Sequence, residues 1–266
     1  MHDKIREGIA VLRTEGLLAF LASFLRVVGA NYQGYYYYLK YKIRSFVRSA
    51  PTSDPLSVIK VRPDQVRHRA TRHVDKWEDI GQVWDGDWDR DLPPVDSSIK
   101  YRSVVERFRN DTPWQETEVY QTALKKIESG ESYWNGCRSR DELKKRTSTV
   151  DELYRDIRDS GFKSQSEIHG KSVKEILLSG SFDRSKTDVT VAIGRDGEIL
   201  FVDGNHRFAI AHVLGLDELP VRVVVRHAQW HKIRESIRDS DDPDSLPETY
   251  RQYLDHPDIE SVLSNT

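Results

Sequence analysis

Residues 202–225 read VDGNHRFAIAHVLGLDELPVRVVV, and the order of residue types in this stretch decides how the chain folds. A strand ends at Val202, and Asp203-Gly204-Asn205-His206-Arg207 turns the chain. Residues 208–214 then carry apolar side chains at helical spacing until Gly215 stops the helix, and Pro220 precedes the β-branched run VRVVV at 221–225. Upstream, VTVAI at 189–193 and EILFV at 198–202 flank Gly194-Arg195-Asp196-Gly197, a turn suited to a hairpin. The predicted order is strand, strand, loop, helix, strand.

A strand that delivers a glycine turn, a basic pair and a helix N-terminus to one point gathers backbone donors and side-chain charge around an anion, with phosphate the natural guest. Gly204 lets the backbone turn sharply and approach a ligand, while Asn205, His206 and Arg207 occupy the first helical turn, where N–H groups point outward. Arg207 can fork two phosphate oxygens, and His206 adds a donor or a proton carrier. The same residues also fit a plain tight turn, with Asp203 capping the helix and Arg207 paired at the surface.

The 266 residues can bury a genuine core. Cys137 is the only cysteine, so an intramolecular disulfide and a multi-cysteine metal cage are both excluded, which fits a reducing, cytoplasmic setting. Lys and Arg number 41 against 43 Asp and Glu, a net charge of -2, so nucleic-acid binding would need a local patch.

Residues 16–25 (GLLAFLASFL) form an apolar run too short to span a bilayer and without a cleavage pattern, followed by Tyr35 to Tyr38 and by Lys40, Lys42, Arg44 and Arg48. Such a segment suits a helix packed on the main domain, or one lying peripherally in a membrane interface through residues 16–48. The proline-bearing residues 51–55 read as a linker, and LSVIKV at 56–61 as a first strand stopped by Pro63. A basic segment follows (Lys60, Arg62, Arg67, His68, Arg69, Arg72, His73), then a region with Trp77, Trp84 and Trp88. Helical spacing over 98–126, broken at Asp111-Thr112-Pro113, suggests an insertion. Ser148 or Thr149, with Glu152 forming a capping box, suggests a helix running to Gly161. Residues 239–244 read as an acidic linker before a last surface helix near Tyr250 to Leu254.

The basic segment can complete a phosphate site, form a solvated face, or grip a nucleic-acid backbone, although it lacks interleaved aromatic residues for base stacking. Asp85, Asp87, Asp89 and Asp91 alternate as in the first half of a calcium loop, but Arg90 replaces the required glycine and Asp96 the closing glutamate. An exposed acidic turn is the plainer reading, with magnesium on a nucleotide the remaining use of those acids. His227 and His231, four apart, lack a third ligand and read as ordinary domain-edge histidines.

Residues 189–226 resemble the second half of the ParB/sulfiredoxin superfamily: a hairpin strand, a glycine loop holding Gly204, His206 and Arg207, a helix ending at Gly215-Leu216, and a Leu219-Pro220 entry to a strand. The likeness covers about forty residues and extends loosely to residues 58–63, with Arg67 or Arg69 as the matching arginine. It implies a loop holding nucleotide phosphates. Sulfiredoxins bind ATP with a Gly-Cys-His-Arg loop, ParB proteins bind CTP with Gly-Glu-Arg-Arg, and a free-serine kinase carries an Asp-Gly-His-His-Arg type loop. Here the loop is Asp-Gly-Asn-His-Arg, and Asn205 stands where sulfiredoxin has its catalytic cysteine, so sulfinic-acid reduction is not expected. Chromosome partitioning is not expected either, because the second ParB arginine and a downstream helix-turn-helix are absent from the sequence.

The sequence therefore predicts an α+β protein: an apolar, tyrosine-rich segment at 1–50, a linker at 51–55, a ParB/sulfiredoxin-like domain at 56–232 with a helical insertion about 98–146, and an acidic linker with a C-terminal helix at 233–266. Gly204, Asn205, His206, Arg207, Arg67 and Arg69 are expected to hold ATP or another nucleoside triphosphate. Asp203 and His206 are the expected catalytic groups, and Asp203 the contact to nucleotide-borne magnesium. Kinase or NTPase chemistry on a small-molecule phosphoryl acceptor leads. A nucleic-acid-binding or nuclease module, and a non-catalytic scaffold docking through its N-terminal helix, are the alternatives.

Overall fold

The computed structural model describes residues 38–43, 46, 53–54, 56–71, 73–75, 78–178, 188–240, 242 and 246–263. Arg72, Trp77, the apolar run, and Arg44 and Arg48 of its trailing cations lie outside the described residues. The chain divides into two compact units, residues 1–50 with 165–187 and residues 51–164 with 188–266. Along the chain the main elements are α1 (38–43), β1 (Val58–Val61), β2 (Gln82–Trp84), α2 (Ile99–Arg109), α3 (Glu118–Glu128), α4 (Arg140–Ser160), α5 (Gln165–His169), α6 (Val173–Leu178), β3 (Val189–Ile193), β4 (Ile199–Asp203), α7 (Asn205–Val213), β5 (Leu219–His227), α8 (Ala228–Arg238), α9 (Glu248–Arg251) and α10 (Pro257–Leu263).

In the larger unit β5 is the spine of a mixed sheet ordered β1-β5-β3-β4. β1 runs antiparallel to its first half, with Val58 opposite Arg222 and Val61 opposite Leu219, while β2 runs parallel to its end, with Trp84 opposite His227. β3 lies parallel along the other edge and forms the predicted hairpin with β4. Both faces are covered, which is why VTVAI and VRVVV are apolar almost throughout. Ile199 and Phe201 of β4 face the large core with Val189, Val191 and Phe208, whereas Leu200 and Val202 face a smaller core with Ala70, Val74 and Val224. This period of two fixes the register. At the hairpin turn Gly197 has φ +83°, and a Cβ there would lie 2.7 Å from the Trp230 ring.

The helices at 99–160 are not an appendage. α2 lies along α7, where Tyr101 packs 5.9 Å from Phe208 and meets His212 Nδ1 through its hydroxyl at 2.9 Å. The break expected at 111–113 is present between α2 and α3. The cap expected at Ser148 or Thr149 is corrected. Ser139 caps α4, accepting from Glu142 N at 3.2 Å, while Glu142 accepts from Arg138 N, one residue before the cap, at 2.7 Å; the cap thus lies ten residues before Thr149, which is mid-helix. Gly161, at φ +77°, ends the helix as expected. The short strand β2 has no counterpart in the sequence reading.

In the C-terminal region α9 has no buried residue, in keeping with the expected surface helix, whereas the buried α10 was not foreseen. Residues 233–266 belong to the same unit as the sheet, with Ile237 and Ile259 in its core. Asp258 of α10 sits fully buried against Arg226 of β5, accepting from its Nε at 2.8 Å and from its Nη2, and accepting also from Trp230 Nε1 at 2.9 Å. Arg226 in turn donates to Ser53 Oγ and to Ser57 Oγ. Removing one member of such a pair leaves a buried charge uncompensated, so Asp258→Ala should cost about 3–5 kcal/mol in denaturant unfolding. Burial alone would raise the Asp258 carboxyl, but Arg226, Arg234 and the Trp230 N–H outweigh it and hold it at about 2. The unfolded carboxyl titrates near its ordinary value of 3.8. This contribution should therefore be complete above about pH 5 and decline as pH falls from about 4 towards 2, a decline absent in Asp258→Asn.

Candidate functional site

The loop after β4 is built by close approach. Gly204 adopts φ +103°, and a Cβ there would meet Val189 Cα at 3.0 Å and its Cγ2 at 3.1 Å, so the neighbouring strand leaves room for glycine alone. Its N–H donates to Asp203 Oδ1 at 2.7 Å, which orients that carboxylate. α7 begins at the next residue, without a side-chain cap and without an acid in its first turn. α2 opens the same way. The two N-termini meet, since Ser98, the N-cap of α2, donates its hydroxyl to Asn205 Oδ1 at 3.1 Å.

Cations gather where helix dipoles disfavour them. Lys100, second residue of α2, is partly buried, and its pKa is lowered by burial; Asp203 opposes that shift, while Arg146 of α4 and Arg69 reinforce it. Arg69 bridges to Phe201 beside β4 and donates its Nε to Thr71 Oγ1 at 3.1 Å. Arg146 reaches His206 with Nη2 at 3.3 Å from Nδ1, and among the described residues its buried Nε has no hydrogen-bond acceptor. Burial lowers this guanidinium too. Lys100 thus lies within electrostatic range of two guanidinium groups and one carboxylate.

His206 is enclosed between donors. Trp134 Nε1, which can only donate, lies 2.8 Å from Nε2, and the two rings stack with centroids 5.8 Å apart. Nε2 must therefore accept, and a neutral imidazole then carries its proton on Nδ1, facing Arg146. Burial, then Arg146 and Lys100, push the His206 pKa down to about 3. The engaged Nε2 and the two neighbouring cations weigh against the proton-carrier role expected for His206. Both ring nitrogens face donors, and a neutral imidazole can accept through only one of them, so the shorter contact from Trp134 leaves Nδ1–H opposed to Arg146 Nη2.

Arg207 is also corrected. Rather than reaching an anion in the loop, it is buried at 8% exposure, 3.7 Å from Asp188, with its guanidinium 4.3 Å over the Phe162 ring and a hydrogen bond from Nη2 to the Lys163 carbonyl. Arg67 is exposed and, among the described residues, makes no ion pair; its carbonyl accepts from Val95 N at 2.9 Å. The loop and Arg69 are brought together, and Lys100, Arg146, Ser98 and Trp134 join them unforeseen. Lys100 had a readable signal, a cation in a first helical turn. Arg146 had none, being one of many charges on a long polar helix.

Cys137, remote in sequence, folds within electrostatic range of Arg146, but it is buried, its pKa is raised by burial, and it donates to the Trp134 carbonyl at 3.3 Å. Two of the alternating acids are engaged as well. Asp89 and Asp87 bind Arg195 of the hairpin turn at 2.6 and 2.8 Å, which fixes that segment against the sheet. His227 caps α8, accepting from Gln229 N at 3.1 Å. No group of three or more metal-ligating side chains occurs among the described residues. Two clefts, of about 420 Å³ around Phe108 and Tyr154 and about 150 Å³ around Asp89 and Arg195, lie away from the loop.

Comparison of the chain with family models, curated proteins and solved structures finds no match. Arg207→Ala should leave Asp188 buried with less counter-charge and lower stability by about 3 kcal/mol, read as a shifted urea midpoint. An unchanged midpoint would contradict the structural role given to Arg207.

Proposed function

We propose that the chain binds the phosphates of a nucleotide where α2 and α7 meet, and that the site serves phosphoryl transfer or nucleotide hydrolysis. One observation carries the reading: Arg146, Arg69 and Asp203 lie within electrostatic range of Lys100, beside two helix N-termini without side-chain caps and a buried Arg146 Nε with no hydrogen-bond acceptor among the described residues. Buried donors and excess cations are costly unless an anion accepts from them. The likeness of residues 189–226 to the ParB/sulfiredoxin core supports a nucleotide as the bearer of that anion.

In this proposal the loop N–H groups, Lys100, Arg146 and the Nδ1–H of His206 hold the phosphate oxygens and balance charge as it shifts in the transition state. Asn205, fixed by Ser98, holds the two helix ends together. Asp203 takes the proton of the attacking hydroxyl or water. A new P–O bond forms to that oxygen as the bond from the terminal phosphorus to the bridging oxygen breaks, its electron pair leaving on the nucleoside diphosphate. Magnesium, if carried on the phosphates, needs only one or two protein carboxylates, a demand Asp203 meets, and would supply further charge neutralisation.

A thermal-shift screen with ATP, ADP, CTP and GTP, with and without magnesium, should raise the unfolding temperature for at least one nucleotide. Lys100→Met and Arg146→Met should each weaken that nucleotide about tenfold or more, equivalent to about 1.4 kcal/mol. No shift with any nucleotide, or equal affinity in both variants, would overturn the proposal.

A further inference from the structure

Among the described residues five large apolar side chains are exposed, and four belong to the smaller unit: Leu39 (45%), Ile43 (53%), Phe46 (91%) and Ile168 (50%). Residues 38–43 and 46 are helical, and spacing of four then three residues places Leu39, Ile43 and Phe46 in one stripe. At about 100° per residue Lys40 and Lys42 fall on either side of that stripe, and the Lys42 ammonium lies 5.8 Å over the Tyr38 ring. Tyr38 packs against Tyr41 with centroids 6.1 Å apart and lies under the Lys174 ammonium. From residue 16 to 48 the sequence holds Arg26, Lys40, Lys42, Arg44 and Arg48 and no acidic residue.

We infer that this stripe docks in the plane of an anionic lipid surface. The chemistry selects the occupant. An apolar stripe bordered by cations, with tyrosines beside it, matches the boundary between acyl chains and negative headgroups. A second copy of the chain meeting the stripe about a two-fold axis would set the same cations against one another. Among the described residues no helix is long and apolar enough to cross a membrane.

The test is co-sedimentation of the full chain with vesicles of phosphatidylcholine alone and of phosphatidylcholine mixed with phosphatidylglycerol. Binding should be at least tenfold tighter to the anionic vesicles and weaken as salt is raised. The combined variant Leu39→Glu, Ile43→Glu, Phe46→Glu should lose at least tenfold while its thermal unfolding transition stays in place. Lack of preference for anionic vesicles, or full retention by the variant, would overturn the inference. So would a dimer, measured by light scattering, that the variant dissociates while the wild type ignores vesicles.

Discussion

Gly204 is the point on which the site depends. Because Val189 Cα would stand 3.0 Å from any Cβ placed there, the chain can pass from β4 into α7 across a single left-handed residue, tight against β3. That handover sets the direction of α7, and so brings Asn205 to Ser98 and His206 to Trp134. The sheet supplies the rigidity, since β3 and β5 are buried on both faces and the hairpin cannot slip without moving Phe201 and Leu200 into the wrong cores.

Electrostatics then divides the arginines by task. Arg226 and Arg207 are enclosed with carboxylates, at Asp258 and Asp188, and hold elements together. Arg146 is enclosed with an imidazole instead, and it and Arg69 both lie within electrostatic range of Lys100. Sites that oppose the local rules of stability are where function is expected. The contrast between the two groups of arginines is therefore more informative than their number.

Much of the frame was legible. Alternating apolar residues in EILFV, the GRDG turn, and the stops at Gly161 and Gly215 are local signals, and the hairpin, α7 and the end of α4 follow from them. The loop was legible as a place but not as a set of roles. Arg207 looked available because its neighbours in sequence are small or polar, yet Phe162, Lys163 and Asp188 close over it from other parts of the chain. Trp134 and Arg146 belong to the site only through packing at sequence separations of 72 and 60 residues from His206, a relation no local pattern encodes. Ser139 was overlooked as a cap because Thr149 offered the same box on the same helix. The membership of 233–266 in the core rests on Asp258, which in sequence is one more acid in an acidic tail.

The protonation state of His206 is the most direct test, because the whole arrangement treats the ring as a neutral donor. In a ¹⁵N-labelled sample the His206 ring should show the Nδ1–H tautomer, remain uncharged from pH 8 to at least about pH 5 given its burial, and shift at Nδ1 when a nucleotide or inorganic phosphate is added. A ring that takes up a proton near its ordinary value of 6.5, or one whose Nδ1 is indifferent to every phosphate ligand, would contradict the account.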